Sequence, residues 1–271
     1  MNPDLKTLDW TTMKDGLVTE AEHGFHEGSY VIKRGKYYYY IYADISRRGR
    51  PTCLGYAMST SPMGPYEYKG IIIDNYRCDP KTWNNHGSIV EYKGQWYVLY
   101  HRSTHGSRAM RKACIEPIRF NADGTIDEVE MTSQGAGGPL DAFAETDAAK
   151  ACWMAGHVRI QGMADNSGRE ELGQIRSGDV AAWKYLDFGK EGANRFQIRV
   201  KSAQAGTILV RTGGPDGQIV AKVPVSANSG WSTYEAECRK VTGIQAVWLE
   251  FHGGDPAKDL CSVDKFSFYK E

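Results

Sequence analysis

Between clusters of Gly, Pro, Asn and Asp the chain carries short runs of aromatic and β-branched residues, and the three-to-four-residue apolar spacing of a helix is hard to find. The pattern predicts an all-β protein. In the C-terminal half, residues 181–188, 195–202, 207–212, 221–225, 246–251 and 262–269 read as strands. Phe196, Ile198 and Val200 alternate with polar neighbours, which predicts a sheet with one buried face. Strands of this kind in succession predict a β-sandwich over residues 139–271.

Residues 1–138 follow another plan. Glu27-Gly28-Ser29-Tyr30-Val31 aligns with His86-Gly87-Ser88-Ile89-Val90 at an offset of 59 residues; Gly35-Lys36-Tyr37-Tyr38 then falls on Gly94-Gln95-Trp96-Tyr97. Each copy predicts a strand, a glycine turn and a strongly apolar strand, YYYYIYA in one and WYVLYHR in the other. A repeat of this length in an all-β chain predicts propeller blades, small meander sheets around a common axis. Glu27 and His86 hold equivalent places in the two copies. If one faces the central channel, both do, which makes a carboxylate–imidazole pair a candidate site. Between the two plans, residues 133–147 (SQGAGGPLDAFAETD) read as a linker.

Composition narrows the partners. Lys+Arg and Asp+Glu balance at 33 each, giving no reason to expect nucleic acid or an anionic membrane surface. No apolar run approaches the roughly 18 residues of a membrane span. The N-terminal residues lack the apolar stretch of a signal peptide, which favours the cytoplasm over secretion. The six cysteines show no zinc spacing and read as small buried residues. Tyr and Trp are abundant, at 16 and 7, which suits stacking on the apolar face of a pyranose as well as filling a β core.

The segments FHEGSYVIKRGKYYYYIYA, LGYAMSTSPMGPYEYKG, NNHGSIVEYKGQWYVLYHR and RKACIEPIRFNADGTIDEVEMTSQG together resemble glycoside hydrolase family 43, in its β-xylosidase and α-L-arabinofuranosidase branch. SGDVAAWKYLDFG, NRFQIRVKS, GTILVRTGG, SGWSTYE and SVDKFSFY resemble a family 6 carbohydrate-binding module. The first resemblance implies a five-bladed propeller that hydrolyses glycosides by inversion with three carboxylates, on hemicellulose-derived substrates such as xylan or arabinoxylan. Glu27 matches the family's acid, and His86 its axial histidine, which approaches a cation, often calcium, through water. Arg102 and Arg111 lie in segments that line the sugar pocket. The second resemblance implies a sugar gripped between two aromatics, here Trp183 and Trp231. It also implies a structural calcium, but the acidic pair at the module's start falls on Ala148-Ala149-Lys150, where the lysine would repel the ion, while Asp264 remains. Ser262 stands where an assisting Asn is usual.

The base and orienting aspartates of the family have no counterpart in this sequence. The expected fold is an open, partial propeller of two to three blades, followed by a sandwich module. Inversion needs acid and base roughly 6.5–9.5 Å apart, so a base has to be recruited from Asp44, Asp74, Asp79 or a neighbouring subunit. Open sheet edges predict self-association into a homo-oligomer. Three readings stand: a hydrolase releasing xylose or arabinose, with activity on several glycosides; a non-catalytic carbohydrate-binding protein; or a fragment without an independent role. The intact Glu27 and His86 segments favour the first.

Overall fold

The computed structural model describes residues 2–4, 6–47, 49, 52–79 and 82–271. It is all-β apart from single-turn helices such as α1 (Glu20–His23). The first sheet is an antiparallel meander of β1 (Phe25–Arg34), β2 (Tyr37–Asp44), β3 (Cys53–Ser59) and β4 (Glu67–Ile73); the second is a meander of β5 (Gly87–Tyr92), β6 (Gln95–Thr104) and β7 (Ser107–Ile118). The predicted repeat is the β1–β2 and β5–β6 hairpins. Both turn through a left-handed glycine, Gly35 at φ 58° and Gly94 at φ 79°, a conformation that costs other residues.

The meanders share one core. Tyr39, Ile41, Leu54 and Tyr56 of the first sheet meet Ile89, Val98 and Tyr100 of the second, and all are buried. The tyrosines bury their rings without stranding their hydroxyls, because Tyr39 donates to the Gly124 carbonyl at 2.7 Å and Tyr56 to that of Ile126 at 3.1 Å.

The remaining strands form two facing sheets. In chain order they are β8 (Leu140–Asp141), β9 (Thr146–Asp147), β10 (Trp153–Ala155), β11 (Arg159–Gly162), β12 (Glu170–Ile175), β13 (Val180–Asp187), β14 (Ala193–Ser202), β15 (Gly206–Thr212), β16 (Gln218–Val225), β17 (Ser232–Val241), β18 (Ile244–His252) and β19 (Cys261–Tyr269). One sheet runs β10-β13-β18-β15-β16 with β8 beside β13; the other runs β11-β12-β19-β14-β17 with β9 beside β19. Phe196, Ile198 and Val200 point into the shared core as their alternation predicts. All six cysteines are free thiols, five of them buried.

The segment 133–147 is not a free linker. Leu140–Asp141 lies parallel to β13, Thr146–Asp147 pairs with β19, and Ala142 is fully buried. The sandwich also closes on the meanders: Cys152 and Trp153 pack into the meander core, and Lys112 pairs with Glu170 at 2.7 Å. The segment is held at Leu140–Asp141, Ala142 and Thr146–Asp147, with most of its other residues at the surface.

Candidate functional site

Glu27 and His86 do converge. His86 Nε2 lies 3.3 Å from Glu27 Oε1, close enough for attraction though not aligned as a hydrogen bond. A bulge in β1 makes this approach. The β1–β2 register slips between Glu27 and Tyr30, and Gly28 adopts φ 66°. A β-carbon on Gly28 would fall 2.6 Å from His86 Nε2, so the site needs glycine there for space as well as conformation.

Both side chains are half open to solvent, at 49% for Glu27 and 43% for His86. Glu27 lines a cleft of about 420 Å³ with His26, Thr52, Trp83, Asn84 and Arg108. Desolvation pushes the Glu27 carboxyl up, but close polar contacts with His86 and Asn84 and the nearby imidazole charge outweigh it, leaving its pKa below the ordinary value. A general acid needs the opposite shift. In this open cleft the surroundings favour the Glu27 carboxylate.

Three neighbours were not read from the sequence. His101 stacks edge-on against His86 with ring centroids 5.9 Å apart. Burial, with the charges of Arg111 and His86, pushes its pKa down to about 4. Asn84 accepts from Arg111 Nη2 at 3.3 Å. Trp83, half exposed, lies under the Arg108 guanidinium, 4.1 Å from the ring centroid. Asn84 stands in the NNHG segment two residues before His86, and that proximity was the available signal.

Arg111 therefore belongs to the site, and Arg102 does not. Successive residues of β6 point to opposite faces, so His101 turns toward His86 while Arg102 turns into the seam with the sandwich. Arg102 is 4% exposed, and its Nη1 donates to the Ala151 carbonyl at 2.7 Å, so no sugar can reach it.

No second carboxylate lines the Glu27 cleft among the described residues. Asp44 is completely buried, Asp74 is paired with Arg47 at 2.6 Å, and buried Asp79 accepts from the Gly106 amide at 3.1 Å. None is placed as the recruited base.

The sandwich places its two tryptophans differently. Trp231 lines a cleft of about 550 Å³ with Gln161, Gln174, Lys201, Asn228 and Ser262. Trp183 is 0% exposed and packs edge-on against Phe266 at 4.8 Å, so it is core and cannot stack on a sugar. Its strand β13 lies between β10 and β18, inside its sheet.

Calcium takes six to eight oxygen ligands, waters included, and among the described residues neither position gathers a set of side chains that supplies them directly. Beside His86 the donors are one carboxylate and imidazole nitrogens, and among the described residues no three His, Cys, Asp or Glu side chains converge. In the sandwich Asp264 already has both carboxylate oxygens occupied, by Arg169 and Arg199.

Residues 1–126 match Glycosyl hydrolases family 43, and residues 147–270 match Carbohydrate binding module (family 6). A xylosidase/arabinosidase of Thermoclostridium stercorarium is 32% identical over 266 residues, covering 87% of this chain and 55% of that protein. An arabinoxylan arabinofuranohydrolase of Paenibacillus polymyxa is 28% identical over 279 residues, covering 96% of this chain and 44% of that protein. The crystal structure of a family 43 arabinoxylan arabinofuranohydrolase from Bacillus subtilis in complex with cellotetraose has 28% identity and a TM-score of 0.54, over 92% of this chain and 55% of that one. The chain thus spans about half the length of these relatives. In its first part it belongs to glycosyl hydrolase family 43, and in its second it is a family 6 carbohydrate-binding module.

Proposed function

We propose that this chain is a glycoside hydrolase that releases xylose or arabinose from xylan-derived glycosides, with Glu27 in the position of the acid and the Trp231 cleft holding the polysaccharide. The observation that carries this reading is the convergence of Glu27 and His86, from equivalent places in two hairpins, at 3.3 Å beside one open cleft. The names of the relatives support the substrate class. In this reading the two meanders are blades of an open, partial propeller, and their exposed first strands are where copies of the chain self-associate. Sedimentation that stays monomeric at every concentration would remove the self-association.

The test is release of nitrophenol from aryl β-xyloside and α-arabinofuranoside by the wild type and Glu27→Gln. A positioned acid is worth roughly 10²–10⁴-fold, so the variant should lose that much activity with its circular dichroism unchanged. Equal activity in both proteins sinks the role of Glu27.

One observation favours a second reading, a non-catalytic carbohydrate-binding protein: the Glu27 cleft has no second carboxylate, and its surroundings keep Glu27 charged. Binding of xylan that Trp231→Ala abolishes, with no hydrolysis by the wild type, selects that reading.

A further inference from the structure

We propose that Arg199 is the positioning residue for Trp231, and that Asp264 fixes Arg199 in turn. The inference rests on the reading of the Trp231 cleft as a sugar site.

The β14–β19 ladder pairs Arg199 with Lys265 and then Val200 with Val263, so Asp264 is the extra residue of a bulge. A bulge takes a side chain out of the strand's alternation. Asp264 ends 1% exposed, where a carboxylate is costly unless paired. Arg169 Nη2 donates to Oδ1 at 2.6 Å and Arg199 Nη1 donates to Oδ2. The Arg199 guanidinium, pinned along its edge, also lies over Trp231, 5.3 Å from the ring centroid and within cation–π range. A planar guanidinium can bond a carboxylate through its edge while its face meets a ring; a lysine ammonium cannot do both in that geometry.

Trp231 needs such support. It stands just before β17 and lines the cleft from there. With Arg199 on one face of the indole, the other is left for a pyranose. Trp183 is core, so this cleft grips sugar with one aromatic platform whose angle is set by Arg199.

The experiment uses the full chain labelled with 5-fluorotryptophan, with Trp231→Phe assigning the resonance. Affinity for xylohexaose is measured by titration calorimetry for the wild type, Arg199→Lys, Arg199→Met and Trp231→Ala. Arg199→Lys keeps a charge for Asp264, so it should hold its melting temperature while its affinity falls roughly 3- to 30-fold and the Trp231 fluorine signal moves or broadens. Arg199→Met should show the same loss of affinity with lower stability. Wild-type affinity and an unmoved resonance in Arg199→Lys overturn the positioning role, and a loss confined to Trp231→Ala then leaves the sugar site standing. Wild-type binding by Trp231→Ala overturns both.

Discussion

Two strands of ten residues each, β1 and β14, show how differently the halves of the chain are held. β14 alternates: Phe196, Ile198 and Val200 are fully buried and the residues between them are not. β1 has no buried residue, and Tyr30 and Val31, adjacent in sequence and therefore on opposite faces, are both exposed. β14 has a neighbour on each edge and a second sheet across its face, whereas among the described residues β1 pairs only with β2. The difference teaches that the candidate acid stands on a strand held chiefly by its hairpin, while the Trp231 cleft stands on a closed core. The open cleft follows from that lack of cover, while the charged state of Glu27 follows from its contacts with His86 and Asn84.

The sharpest way to break this comparison is a matched pair of truncations. Trp183→Ala removes a fully buried ring and should cost about 3–5 kcal/mol in the denaturant unfolding of the sandwich. Tyr30→Ala, on β1, should change stability by less than about 0.5 kcal/mol. A large loss from Tyr30→Ala would mean that β1 is covered in solution, and would point to the self-associated form.

Acidification separates the halves more gently. His101 has its pKa lowered from 6.5 to about 4, so between those values the unfolded chain binds a proton that the folded chain does not. Stability therefore falls as pH drops through this window, by on the order of 2–3 kcal/mol before solvent screening reduces it. Glu27, also lowered, adds loss in the same direction below its ordinary value of 4.5. Melting followed from pH 7 to 4 should show the decline, and His101→Asn should flatten its upper part. An unchanged slope in that variant would mean that the imidazole is more hydrated than its burial implies.

Much of the fold was legible in the sequence because its signals were periodic. The 59-residue repeat matches at several positions between its two copies, the alternation in β14 spans three apolar residues, and both became the strands they predicted. The site was less legible because single side chains must be assigned to a face. Arg102 and His101 are adjacent, and only the pairing of β6 decides which one meets His86. Trp183 did leave a clue: Ala181, Ala182 and Trp183 form an unbroken apolar run, as in a strand covered on both faces, and all three are fully buried. β17 went unread because most of its residues are polar, with only Cys238 and Val241 buried on an edge strand. Asp44, offered by the sequence as a recruited base, ends β2 beneath two close-packed glycines.

That last residue supplies the finest test of how the meander half is built. Asp44 is fully buried; its Oδ1 accepts from the Ser46 amide at 2.7 Å, while Oδ2 has no hydrogen bond among the described residues. The packing leaves no room to move, since a β-carbon on Gly55 would fall 2.3 Å from Oδ2 and one on Gly24 would fall 3.1 Å from Oδ1. Burial raises its pKa against the opposing pull of Ser46, Tyr68 and Arg47. A raised carboxyl pKa means that ionisation costs stability once the pH exceeds the ordinary value of 3.8. Asp44→Asn removes that cost and keeps the acceptor for Ser46, but leaves an amide NH₂ without a partner where Oδ2 was. These terms oppose one another, so the variant should lie within about 1 kcal/mol of wild type at pH 7. Its advantage should shrink as the pH falls and Asp44 itself takes up a proton. Thermal melts of both proteins from pH 7 to 3 would read this, and a loss well beyond 1 kcal/mol at pH 7 would show that the carboxylate has a positive partner in solution, which would turn a buried cost into a built site.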